Sequence, residues 1–305
     1  MKLAMTLARR ELWENRGNFY IMIGIIFGLI VLACAVLGIA VGGGFTAIHP
    51  TGQAAAAGVA VLGLVIGSII FIFYALSMLG YLSGTLYDDR KDGSVLFWRS
   101  LPVSDTAMVA SKVAMAMFVG SLFVWIAVVI GHLVALFTLA VAASARGAEG
   151  FSVFASPGAL FGTWIFFAYA LFIQALWWLP YYSWLLLVSA VSPRGHPLIW
   201  AIIVPGIIGV AELIISRTSH IFHFLFSHLS PSPLFNGWPH LTVSIDTGHH
   251  LSSNISQAYT SANPLFTGAG QLSGYLATPS MWIGIVIGLV LLALAVVARR
   301  FSATA

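Results

Sequence analysis

The chain has 305 residues, 60% of them hydrophobic and only 7% charged, whereas a soluble domain is about a quarter charged. A soluble protein of this length cannot hide so much apolar surface, but a bilayer accepts it when each span satisfies its own backbone hydrogen bonds. The net charge of +4 comes from 13 basic and 9 acidic residues. The basic ones sit beside apolar runs, which is no signature of nucleic-acid binding. The single cysteine, Cys34, excludes an intrachain disulfide.

Residues 1–18 predict an amphipathic interfacial helix. Met1, Ala4, Met5, Ala8 and Leu12 share one face, and Lys2, Arg9 and Arg16 recur on another at seven-residue spacing. A charged tail that only enforces topology is the alternative. Glu11 and Glu14 precede the first apolar run, and no A-x-A-like site follows it, so a cleavable signal peptide is not expected.

Apolar runs long enough to cross about 30 Å of hydrocarbon occur at 19–41, 58–82, 112–142, 158–190, 198–216 and 281–298. The fold class expected is therefore all-α, a single polytopic membrane domain over 1–305 with six transmembrane helices. With the N-terminus cytoplasmic, the inner segments hold Lys2, Arg9, Arg10, Arg16, Arg90, Lys91, Arg99, Lys112, Arg194, Arg299 and Arg300, against only Arg146 and Arg217 outside. This positive-inside bias places both termini in the cytoplasm. Four G-x-x-x-G spacings, Gly24/Gly28, Gly63/Gly67, Gly80/Gly84 and Gly284/Gly288, suggest close helix contacts.

The inner segment at 83–111 holds the densest charge. Asp88, Asp89, Arg90, Lys91 and Asp92 predict the end of a short helix, with a break at Gly93 and a second apolar piece ended by Pro102. Ser104 is placed to cap the helix that enters span three, with Lys112 at its cytoplasmic edge. The acids lie next to Phe97, Trp98, Arg99 and Leu101, a mixed charged and aromatic surface of the kind that docks a partner. A solvated loop whose aromatics rest on lipid headgroups also fits.

Within the spans, Glu212, His132 and Gln174 are the candidates for a transport path or gate, since polar groups at membrane depth are costly. The competing readings are an interfacial Glu212 and helix-bridging bonds for His132 and Gln174, with the last two expected near the middles of spans three and four. Pro180 and Pro205 predict kinks. The outer segment 217–280 contains His220, His223, His228, His240, His249 and His250. It has no cysteine, one acid (Asp246) and no H-E-x-x-H, so no metal site is expected. Its apolar stretch at 221–229 reads as a re-entrant or interfacial helix.

The stretch from Tyr81 to Ser104, Y-L-S-G-T-L-Y-D-D-R-K-D-G-S-V-L-F-W-R-S-L-P-V-S, followed by Lys112, resembles the corresponding region of ABC-2-type transporter permeases. Outside 81–112 the resemblance rests on topology. It implies a type V exporter-like permease fold with an interfacial helix before span one and helices on the outer side before span six. It also implies an ATP-driven exporter whose ATP and Mg are bound by separate ABC ATPase subunits. These dock on residues 87–101 and the N-terminal helix, while a second permease, identical or a sister, completes the channel. Family members usually export lipids, polysaccharides, peptides, drugs or ions. The chain has no G-x-x-x-x-G-K-[ST] loop, so any nucleotide it uses is bound by another chain, and no enzymatic activity is expected of it. The location implied is the cell inner membrane, in contact with lipid. The rival functions are a membrane accessory protein that anchors a soluble partner, an intramembrane enzyme and a secondary transporter. The enzyme lacks a catalytic motif, and the secondary transporter lacks inverted repeats and midplane charges.

Overall fold

The computed structural model describes residues 53–93, 103–145, 149–155, 157–193, 195–229 and 272–302, together with nine helical positions between Arg9 and Val31. Every regular element among them is helical: α1 (Gln53–Lys91), α2 (Asp105–Ala114), a π-helical turn (Met115–Gly120), α3 (Ser121–Ser144), a 3-10 turn (Gly150–Ala155), α4 (Pro157–Trp177), α5 (Leu179–Val191), α6 (Pro197–Ser216), α7 (His220–Leu229) and α8 (Pro279–Ser302). A short helical stretch at 272–277 precedes α8. Five are long and apolar enough to cross a membrane: α1, the continuous helix Asp105–Ser144, α4, α6 and α8. The chain is a multi-span, all-helical bundle. The span expected at 19–41 lies outside the described residues except for helical, exposed Ile23, Gly24, Phe27, Gly28 and Val31. Arg9, Arg10, Trp13 and Gly17 of the expected interfacial helix are helical too.

The helices outrun the lengths read from hydropathy. α1 has 39 residues, about 58 Å at 1.5 Å per residue, against an expected span of 58–82. Its last turns carry Asp88 to Lys91, so these charges ride on a rigid helix. Gly93 ends it with φ of +69°, a conformation that disfavours residues with a Cβ. On the far side of 94–102, Ser104 caps α2 as expected: its Oγ accepts from the Ala107 N–H at 3.2 Å. The coupling segment expected at 83–111 is thus mostly the ends of two helices. The span expected at 158–190 divides at Trp178 into α4 and α5. Pro180 has no N–H to donate there, while Trp178 N and Tyr182 N still bond to the carbonyls four residues back.

α1 lies at the centre of the bundle. Ile70, Phe71, Tyr74, Met78, Leu82 and Leu86 recur every three or four residues and are all buried. Two devices bring neighbours close, because lipid offers no hydrophobic drive for helices to associate. One is small residues: a Cβ on Gly67 would lie 2.0 Å from the Phe167 ring, and one on Gly63 would lie 2.7 Å from His132. The other is polar side chains used on backbone. The Tyr74 hydroxyl donates to the Ala116 carbonyl inside the π turn, and Gly120 leaves the space its ring fills. A π turn leaves a carbonyl short of its usual donor, and Tyr74 supplies one. α6 is different, with only Ala201 and Gly209 buried and Ile202, Ile207, Ile214 and Ile215 facing outward.

The close approach of α1 and α4 gives a stability test. Gly67→Ala is expected to destabilise the protein by about 1–3 kcal/mol in thermal unfolding, with partial recovery in Gly67→Ala/Phe167→Ala. Gly80→Ala, where a Cβ meets nothing within 4 Å, is expected to be neutral. Equal effects at both glycines would contradict this packing.

Candidate functional site: a buried ionic junction

At one end of the bundle, four chain segments meet on two carboxylates. Asp89, in the last turn of α1, lies 3.7 Å from Arg10 Nη2, 3.5 Å from Lys112 Nζ and 3.6 Å from Arg299 Nη1. Asp105, in the first turn of α2, takes Arg299 Nε at 3.2 Å and Arg300 Nε at 3.9 Å. The junction is buried around Asp89 and opens to its rim at Asp105: the side chains of Lys112, Arg299 and Asp89 are 1%, 4% and 9% exposed, those of Asp105 and Arg300 22% and 63%. Lys112 Nζ also donates to Thr85 Oγ1 at 2.6 Å, one turn back along α1 from Asp89. Arg10 Nη1 reaches the Met108 sulfur at 3.5 Å.

Removing several charges from water at one spot is expensive, and the attraction among them recovers that cost only while every partner stays in place. Asp89 is therefore the tie between the N-terminal helix, the end of α1, the last turn of α2 and the end of α8. Both helices that bracket residues 94–102 are held in it.

Beside the junction, Arg90 performs a separate task. Its Nη2 donates to the carbonyls of Ser189 and Ser192 at 2.8 and 2.9 Å, closing the C-terminus of α5, where a cation also suits the helix dipole. Ser189 Oγ in turn accepts from the Leu86 and Tyr87 N–H groups, and the Gly195 N–H donates to the Tyr87 hydroxyl. Asp88, Lys91, Asp92 and Gly93 stay exposed. The charged run thus divides by helix face into Asp89 and Arg90, turned inward, and Asp88, Lys91 and Asp92, turned outward. Phe97, Trp98, Arg99, Leu101 and Pro102 lie outside the described residues.

The three membrane candidates do not share a site. His132 is fully buried, with Nε2 2.8 Å from the Val59 carbonyl and Nδ1 accepting from Trp164 Nε1 at 3.2 Å. The carbonyl can only accept, so Nε2 carries the proton and both nitrogens are engaged in tying α1, α3 and α4 together. It is also 20 residues beyond Lys112, about 30 Å along the helix, which continues to Ser144. Gln174 is buried within α4. Glu212 accepts from Thr218 Oγ1 and from the His220 and Ile221 N–H groups at 2.9–3.1 Å, capping the start of α7. Of the histidines beyond it, His220, His223 and His228 lie on α7, and His240, His249 and His250 lie outside the described residues. No group of three or more metal-ligating side chains occurs among the described residues.

From sequence, Arg10 and Arg299 read only as topology signals, and Asp105 drew no attention. The usable signal is the scarcity of charge: an acid in the first turn of α2 and paired arginines in the last turn of α8 need partners at the membrane edge. Comparison with protein-family models, curated proteins and solved structures returned no match.

The junction predicts a contrast between adjacent acids. Asp89→Asn leaves buried cations short of their anion and is expected to cost about 3–5 kcal/mol in unfolding. Exposed Asp88→Asn is expected to stay within about 0.5 kcal/mol of the native chain. Equal losses at the two positions would contradict the assignment.

Proposed function

We propose that this chain is the membrane-spanning permease subunit of an ATP-driven ABC transporter, working as an exporter, with hydrolysis on separate ATPase subunits. It sits in the cell inner membrane with the junction end and both termini in the cytoplasm. A second permease, identical or a sister, completes the pathway. The observation that carries this reading is the arrangement around residues 94–102. The helices on either side of that segment are locked into one buried junction, and Asp88, Lys91 and Asp92 stand exposed beside it. A partner that binds this exposed charge and moves would push on α1, α2, the N-terminal helix and α8 together.

The resemblance of 81–112 to ABC-2-type permeases supports the same reading, and the positive-inside count supports the orientation. Exposed rim charges govern association more than folding, so Asp88 and Asp92 are the positions to probe rather than Asp89.

The test is to co-express the chain with the P-loop ATPases of its source and to purify it in lipid nanodiscs. An ATPase is expected to remain bound, with ATP turnover that depends on the chain. Asp88→Lys/Asp92→Lys is expected to weaken binding about tenfold or more while leaving thermal unfolding unchanged. Tight binding with turnover indifferent to the chain would identify an accessory anchor, and absence of any bound ATPase would sink the transporter reading.

A further inference from the structure

α2 and α3 form one continuous helix with a fault in it. At Met115–Gly120 the backbone runs as a π turn, which takes in one residue more than the α-helical turns on either side. The two halves are anchored differently. α3 is tied to α1 and α4 by His132, and again to α4 by Trp125, whose Nε1 donates to the Trp164 carbonyl at 2.9 Å. α2 has only ten residues. Its buried face, Met108, Val109, Lys112 and Val113, points Lys112 at Asp89, and Asp105 on the same face meets Arg299.

π bonding is rare beside α bonding and occurs as single turns, so this one needs a support, and Tyr74 of α1 provides it. The Tyr74 side chain is 1% exposed. Its hydroxyl donates to the Ala116 carbonyl inside the turn, and the Ser121 and Tyr182 hydroxyls flank it. The Ser121 N–H meanwhile goes to the Phe118 carbonyl, which leaves the Ala116 carbonyl to Tyr74. Gly120 makes the space for the ring, since a Cβ there would lie 2.8 Å from it.

We propose that the π turn is a register switch for α2, with Tyr74 as its catch. When the hydroxyl lets go of Ala116, the turn closes to α geometry. One residue is then absorbed, and α2 turns by about 100° and shifts by about 1.5 Å along its axis relative to α3. α2 is the half that moves, because α3 is bonded to two neighbouring helices. The turn carries Lys112 and Asp105 out of the junction together, one cation with one anion, so the charge left around Asp89 is balanced as before. Arg10 and Arg299 stay on Asp89. Beside the departing face α2 carries Ala107, Ala110, Ser111 and Ala114, small side chains that leave room for the rotation. The junction thus has two settings, and the register of α2 selects between them.

The test is the reactivity of Lys112 toward a water-soluble amine reagent, read by peptide mass spectrometry on the full chain in nanodiscs without nucleotide or partner. Exposed Lys91 calibrates the reagent in the same samples. In the native chain Lys112, 1% exposed, is expected to be protected. Tyr74→Phe keeps the ring and loses the catch, and is expected to raise labelling of Lys112 at least about tenfold with Lys91 unchanged. Deleting Phe118, an exposed residue of the π turn, from Tyr74→Phe removes the extra residue and returns α2 to its native face. Protection of Lys112 is therefore expected to come back without the hydroxyl. If Tyr74→Phe does not fold, Gly120→Ala, which drives the ring from its seat, serves in its place with the same deletion. Protection unchanged in Tyr74→Phe would overturn the proposal. So would labelling that persists after the deletion, the sign of a merely loosened bundle, or a deletion variant that fails to fold.

Discussion

The architecture depends on one carboxylate. Asp89 sits where water is scarce, within 4 Å of cations from the N-terminal helix, α2 and α8. None of these charges is tolerable alone at that depth, and together they are. The junction also works over distance in sequence. It joins residues 10, 89, 112 and 299, so helical Arg10 near the start of the chain and α8 near its end are tied through a single acid in the last turn of α1. Asp105 extends the tie to Arg300 and places the start of α2 in the same cluster.

The rest of the bundle follows the same economy of polar groups. His132, Tyr74, Trp177, Tyr181 and Arg90 each spend a side-chain bond on the backbone of another helix. In hydrocarbon such bonds are individually modest, but each one fixes a register that apolar packing alone leaves open. Glycines then set how near the helices come. Pro180 interrupts the α4–α5 helix and the π turn at Met115–Gly120 interrupts the α2–α3 helix, and Phe71 joins the two places, touching both Tyr74, which bonds into the π turn, and Trp178 at the break.

Much of this was legible in the sequence. Hydropathy located the five helices long and apolar enough to cross a membrane, Gly93 and Ser104 marked the helix end and the next helix start, and Pro180 marked the break. Helix length was not legible, because hydropathy stops where charges begin whereas the α-helical backbone of α1 continues through Lys91. The division of 88–92 into an inward and an outward face was hidden for the same reason: it requires knowing that the run is helical. The junction itself was out of reach, since Arg10, Asp105 and Arg299 carry no local motif and meet only through tertiary packing. Glu212 and His132, striking as lone polar residues in apolar runs, prove to be committed to backbone groups.

The account stands or falls on whether the junction acts as one unit. A double-mutant cycle between Asp89→Leu and Arg299→Met, followed by denaturant unfolding in a single lipid environment, measures this directly. The two changes are predicted to couple by about 1–3 kcal/mol, the double variant being more stable than the sum of the single losses allows. Losses that add to within about 0.5 kcal/mol would show the charges to be independent neighbours and contradict the account.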